Sequence, residues 1–188
     1  MRSSILIIDC GSSKVVDIEK QLEAINITFK TKKWNSLTAR EFNDFGGIII
    51  SGAPILLTEK NPKPYLKALN FLKTYKNPVL GICFGHQLLG ILHGAQVSLC
   101  KEDRNWQEII IEQSSTLFNY IRKPYRMVED HTEEVTLPRD FKLLATSKVC
   151  KNEAMQHKIK PLFGVQFHPE VSERGGLQLL KNFCKTCF

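Results

Sequence analysis

No stretch of this 188-residue chain approaches the ~20 consecutive apolar residues of a membrane-spanning helix. No basic segment followed by an apolar one opens it. Neither membrane insertion nor secretion is expected, and the cytoplasm is the expected setting. Blocks of lysine and arginine are lacking too: the formal charge is +7, but the basic residues come in ones and twos, as in Thr31-Lys32-Lys33. Without a basic stripe interleaved with aromatics, nucleic acid is not an expected partner. The lysines read as solvated surface, with part of the basic face available to dock an acidic partner or steer anionic substrates. The six cysteines, at 10, 83, 100, 150, 184 and 187, show no framework spacing and are expected to be reduced. Cys184-Lys185-Thr186-Cys187 has no second pair to complete a zinc site, so no metal-binding residues are expected and the two thiols are read as ordinary ones at a helix end. Repeats and low-complexity linkers are likewise missing. With 43% hydrophobic and 24% charged residues, the chain is expected to form one soluble globular domain over 1–188.

What is present alternates between strand and helix in the first half. Ser4–Ile8 is an unbroken apolar run suited to a strand buried on both faces. Val15, Val16, Ile18, Leu22 and Ile25 have mostly helical spacing. Strands are predicted at 28–31 and 48–50, a helix over 64–74, then a strand leading into Cys83 and a helix after it. The second half reads as strands at 107–111, 134–137, 143–145, 153–157 and 162–167, closed by a helix near 177–183. Alternation of this kind predicts an α/β fold with a mostly parallel sheet and an antiparallel excursion, its ligands beyond the carboxyl ends of the strands.

Two segments carry chemistry. Pro78-Val79-Leu80-Gly81-Ile82-Cys83-Phe84-Gly85-His86-Gln87 is an apolar run ending in Gly-x-Cys-x-Gly, followed by Leu88, Leu89 and Leu92. It reads as strand, sharp turn and helix with a thiol at the tip, the cysteine counterpart of a nucleophile elbow. A helix N-terminus beneath the sulfur favours thiolate. The second segment, Leu162-Phe163-Gly164-Val165-Gln166-Phe167-His168-Pro169-Glu170, ends another apolar strand in an imidazole and a carboxylate. Residues two apart in extended backbone face the same way, which would bring Glu170 to the His168 ring. Cys83, His168 and Glu170 thus read as nucleophile, base and orienting carboxylate. Set against this is a buried structural cysteine with an unrelated histidine. His86, His93 and His157 are read as structural, and Asp9 as capping the turn after the first strand.

Gly-Ile-Cys-Phe-Gly-His-Gln together with Gly-Val-Gln-Phe-His-Pro-Glu-Val resembles the class I (triad) glutamine amidotransferases. The likeness extends through Ile5–Ser12, Gly47–Pro54 and Asp130–Val135, hence over nearly the whole chain. Val171, after the His-Pro-Glu, fits the GMP synthetase branch. The resemblance implies a three-layer αβα fold and hydrolysis of the side-chain amide of L-glutamine through a cysteine thioester. It assigns Cys83, His168 and Glu170 as catalytic, the backbone N–H groups of Phe84 and Ala53 as the oxyanion hole, and Gln87 as a contact to the amino-acid end of the substrate. It also sets His131 near a synthetase interface. Two positions depart from the family: Ala53 and Thr132 each stand where glycine is usual. If the loop demands positive φ at residue 53, alanine is strained there.

The family's synthetases activate an acceptor with ATP, in the GMP branch through a Ser-Gly-Gly-x-Asp-Ser loop not found in this sequence. The resemblance therefore implies no cofactor in this chain. ATP and Mg would sit on a separate ATP pyrophosphatase subunit that uses the ammonia to convert XMP to GMP. Two other readings stay open: a free γ-glutamyl hydrolase or glutaminase, and a catalytically quiet amidotransferase-like regulatory module.

Overall fold

Uninterrupted apolar runs make the centre of the sheet. The computed structural model describes residues 4–37 and 41–188, with residues 41 and 43 by backbone alone; the rest of the expected 1–188 unit lies outside the described residues. In chain order the elements are β1 (Ser4–Asp9), α1 (Val15–Ala24), β2 (Thr28–Lys33), β3 (Gly47–Ile50), α2 (Lys63–Leu69), β4 (Val79–Ile82) and α3 (Phe84–Leu92). They continue with β5 (Val97–Glu108), β6 (Ile110–Ile111), β7 (Arg126–Val135), β8 (Phe141–Thr146), β9 (Ala154–His157), β10 (Leu162–Val165) and α4 (Glu173–Cys187). An eight-stranded sheet has the order β2-β1-β3-β4-β10-β9-β8-β6. Pairing is parallel from β2 through β10 and antiparallel from β10 to β6. The chain is therefore an α/β fold with a mostly parallel central sheet. β5 and β7 form a second, two-stranded antiparallel sheet.

Alternation along the central strands sorts the core into two layers. Ile5, Ile7, Ile49, Leu80 and Ile82 face Val15, Ile18 and Leu22 of α1 and Leu179, Leu180 and Phe183 of α4. Leu6, Ile8, Ile48, Ile50 and Val79 face Leu69 of α2 and Leu88 and Leu89 of α3. Each such side chain, once fully buried, contributes ~1.5–3 kcal/mol. No helix among the described residues is long and apolar enough to cross a membrane.

Several predicted boundaries move. The helix expected over 64–74 ends at Leu69 and tightens into a 3-10 turn, Asn70–Lys73. The last helix is longer than expected, Glu173–Cys187, and Cys184 and Cys187 lie on its final turns. Residues 107–111 are the end of β5 plus the short β6, and residues 134–135 are the end of β7. Neither long strand announces itself, because both are charged along their length.

Candidate active site

Cys83 is the N-cap of α3 and has φ 49° and ψ −107°, a left-handed conformation rare for a side chain with a β-carbon. Steric fit on both sides holds that turn. A Cβ on Gly85 would lie 2.4 Å from the Ile50 carbonyl oxygen, and one on Gly81 would lie 2.5 Å from that of Gly85. Only glycine lets α3 start this close to β3 and β4. The Cys83 N–H donates to the Val165 carbonyl at 2.8 Å. Because β4 and β10 pair in register, Ile82 beside Val165, the residues that follow each strand emerge side by side at the carboxyl edge.

His168 lies in the segment after β10. Its Nδ1 is 2.7 Å from Glu170 Oε1, and both residues are almost wholly buried. The pairing arises differently from the extended register expected: His168 has φ −104° and ψ 87°, and Pro169–Val171 is a 3-10 turn that folds the carboxylate back onto the ring. Ser172 Oγ clamps the turn, donating to the His168 carbonyl at 2.6 Å and accepting from Val128 N–H at 2.8 Å. Burial opposes charge on His168, but the charges of Cys83 and Glu170 and their hydrogen bonds to the ring outweigh it. The ring's affinity for its proton is raised to about 10. A protonated ring there gives a Cys83 thiolate its counter-charge.

The other predicted residues surround the same opening. A cavity of about 440 Å³ is lined by Ala53, Cys83, Gln87 and His168, together with Lys14, Arg104, Asp130 and Glu133 among others. Ala53 follows β3 on a loop held by Ser51, whose Oγ accepts from Cys10 N–H at 2.9 Å. Neither Ala53 nor Thr132 has positive φ, so alanine and threonine sit without backbone strain where glycine was the expected residue. Phe84 is the first residue of α3, where the N–H has no intrahelical acceptor. Gln87 donates through Nε2 to the Glu133 carbonyl at 3.1 Å and to Gln166 Oε1 at 3.2 Å, which commits both of its protons and leaves Oε1 as its free polar atom.

Sequence reasoning missed Gln166 and the charged rim. Gln166 is fully buried and donates from Nε2 to Cys83 Sγ at 3.6 Å. Its place next to the histidine motif was the available signal. At the rim, Asp130 bonds Lys14 at 2.7 Å and also Arg104. Burial would raise the Asp130 carboxyl, but Lys14 and then Arg104 hold it below the usual carboxylate range. These three come from α1's leading loop, β5 and β7, and no local pattern links them. His86 stands as the structural residue expected: it packs on Gly164, and burial drops it to about 3. Asp9 caps the turn as expected, its Oδ1 accepting from Gly11 N–H at 2.7 Å.

The arrangement sets a thiol, an imidazole and a carboxylate beside the head of α3 at one wall of a cavity with ample room for an amino acid. Comparison with known proteins agrees with that chemistry. A family model described as glutamine amidotransferase class-I matches residues 6–187. The chain is 36% identical over 188 residues to a subunit of the glutamine-hydrolyzing GMP synthase of Methanocaldococcus jannaschii, covering 97% of each. It is 41% identical over 144 residues to the protein of the same name from Pyrococcus furiosus, covering 75% of each. Among solved structures, a Thermoplasma acidophilum protein provisionally described as a GMP synthase subunit superposes with TM-score 0.89 at 26% identity, covering 98% of this chain and 93% of that one.

Proposed function

This chain belongs to the class I glutamine amidotransferases, and from that premise we propose that it is the glutamine-hydrolysing subunit of a two-chain GMP synthetase. The observation that carries the catalytic reading is the positive-φ Cys83 at the head of α3 facing the buried His168–Glu170 pair. Glutamine enters the cavity with its ammonium group toward Gln87 Oε1 and its carboxylate toward Lys14 and Arg104. Cys83 sulfur attacks the side-chain amide carbon. Negative charge develops on the amide oxygen and is met by the N–H groups of Phe84 and Ala53, each donor worth ~3–4 kcal/mol in the transition state.

His168 gives its proton to the departing nitrogen, so ammonia leaves and a γ-glutamyl thioester remains. The ring, now neutral and held in one tautomer by Glu170, takes a proton from water as that water attacks the thioester. Glutamate departs and the thiolate–imidazolium pair is restored. The relatives are named as one subunit of their synthase, which supports a second chain that holds ATP and Mg²⁺ and consumes the ammonia in converting XMP to GMP. Cytoplasmic residence belongs to the same proposal, and six cysteines without a disulfide suit it.

The test is labelling with a glutamine-mimicking diazoketone, read by peptide mass spectrometry, beside glutaminase assays with and without an ATP pyrophosphatase subunit. Stoichiometric, glutamine-protected labelling at Cys83 and marked activation by the second chain are expected. Labelling with full activity in isolation would overturn the subunit reading, and no labelling of the folded chain in either state would overturn the catalytic one.

The raised His168 affinity also sets a pH dependence. Leaving-group protonation needs the imidazolium, which persists from neutral pH to about 10. The rate on glutamine is therefore expected to fall as pH rises through about 10, with no limb from this ring near 6.5. Folding stability carries the same sign: the contribution of His168 is complete below 6.5 and is lost as pH rises through about 10. A rate profile with its alkaline limb near 6.5 would contradict this.

A further inference from the structure

Behind the pocket wall lies a cluster that the glutaminase reaction does not use. Strand β7 half-exposes Asp130 and Thr132 at the cavity and buries Glu129, His131 and Glu133, of which His131 and Glu133 also reach the cavity wall. Glu133 is satisfied there, accepting from the Leu57 and Thr58 N–H groups at 2.8 Å each. Glu129 and His131 are not. They meet Cys150 and Glu153 from the segment leading into β9, and all four residues are more than nine-tenths buried. The ligand atoms of His131, Cys150 and Glu153 lie within 4.8 Å of one another, and His131 Nε2 is 3.3 Å from Glu129 Oε2.

The polar atoms of this cluster lack conventional partners. Both carboxyl oxygens of Glu129, both of Glu153 and His131 Nε2 make no well-formed hydrogen bond. Ser147 and the two carboxyls themselves are the nearest groups. Neither carboxylate pairs with a lysine or arginine among the described residues. Asp103, also buried, adds a further negative charge against Glu129. The other ring nitrogen of His131, Nδ1, is 3.0 Å from the Glu133 carbonyl. A bond donated there fixes the tautomer that leaves Nε2 as a lone pair pointing at a carboxylate. Lone pair against lone pair is repulsive unless a proton or a metal ion stands between them. A histidine with one nitrogen beside a backbone carbonyl, and here also Cys100 Sγ at 3.6 Å, and the other aimed at a carboxylate has the arrangement that metal-ligating histidines commonly adopt.

We propose that Glu129, His131, Cys150 and Glu153 bind one zinc ion. The donor set selects the metal: thiolate with imidazole suits zinc, whereas magnesium and calcium take oxygen ligands alone. Four-coordinate zinc places its donors about 3.3–3.8 Å apart, from bond lengths of ~2.0–2.3 Å, so the His131, Cys150 and Glu153 donors must draw inward by about 1–1.5 Å at most, with Glu129 already 3.3 Å from His131 Nε2. Bound there, zinc ties β7 to residues 150–153 and so fixes the Asp130 carbonyl, which lies 3.9 Å from Cys83 Sγ. Its role would be structural, at the back of the glutamine pocket.

The test uses the full chain, stripped with chelator and titrated with Co²⁺ as a spectroscopic substitute for zinc. One equivalent should bind, with tetrahedral visible bands and a thiolate-to-cobalt charge-transfer band. Cys150→Ser should remove the charge-transfer band, and Glu153→Gln should weaken binding at least ~10-fold. Cys83→Ala and the pair Cys184→Ser with Cys187→Ser should leave it intact, which excludes the other thiols. Circular dichroism checks that each variant is folded. If Cys150→Ser does not fold, zinc K-edge absorption on the Cys83→Ala chain decides, since one sulfur in the zinc shell is required there. No cobalt uptake, a band that survives Cys150→Ser, a band lost with Cys83→Ala, or a shell without sulfur would each overturn the site.

Discussion

Cys83→Ser is expected to lower the rate of glutamine hydrolysis by about 10⁴-fold or more, with the thermal midpoint kept within a few degrees of wild type. The two halves of that result have separate causes. The hydroxyl is a far weaker nucleophile, because the buried imidazolium that suits a thiolate cannot ionise an alcohol. The backbone at residue 83, by contrast, adopts φ 49° through the fit of Gly81 and Gly85 against their neighbours, so serine inherits the same turn and the same strain. Steady-state glutaminase assays and a melting curve on one preparation check both. Retention of more than a small fraction of the activity would place the nucleophile elsewhere.

Gly85→Ala should produce a large loss of stability for a single methyl group. The new Cβ would lie 2.4 Å from the Ile50 carbonyl oxygen, so α3 must retreat from β3. Overpacking of this kind costs ~1–3 kcal/mol, or a fall of roughly 2–12 °C in midpoint for a chain of this size. Activity should fall further than stability suggests. The same retreat moves the Phe84 N–H and Cys83 together, and displacements near 1 Å in such a site cost about 10²-fold. Gly90→Ala is the control within the same helix. Its methyl meets the Val135 and Ala95 side chains at 3.2 and 3.3 Å, and the gain of ~1 kcal/mol in helix propensity offsets the crowding. A melting curve for Gly85→Ala that matches the one for Gly90→Ala would contradict the steric account.

Legibility in the sequence followed the range of the interactions involved. Ser4–Ile8, Ile48–Ile50 and Val79–Ile82 are strands buried on both faces, and their apolar runs declare it. The cysteine and histidine motifs were legible because each packs strand, turn and reactive group into ten residues. β5 and β7 were not. Lys101-Glu102-Asp103-Arg104 and Glu129-Asp130-His131-Thr132-Glu133 offer charge where a strand signal needs apolar residues, and only the closed structure shows that β7 buries its charged face. The strict alternation of burial along β7 is present, but it is carried by glutamate and histidine where hydropathy looks for valine and leucine. Gln166 reaches Cys83, and Arg104 and Lys14 reach Asp130, through separations of 83, 26 and 116 residues that no local window spans.

The position of β10 bears on when during synthesis the chain can act. Although last in sequence, this strand lies between β4 and β9 in the interior of the sheet. Cys83 is therefore translated long before its imidazole, and the pair cannot meet until the strand that carries it inserts beside β4. A ribosome-bound chain that has released β1 to β4 already contains the elbow but has neither the ring, nor Gln166, nor the Val165 carbonyl that anchors the turn. Competence arrives with completion: α4, which covers one face of the finished sheet, emerges only after His168 and Glu170. Incomplete chains thus hold the elbow thiol without the base that its chemistry requires.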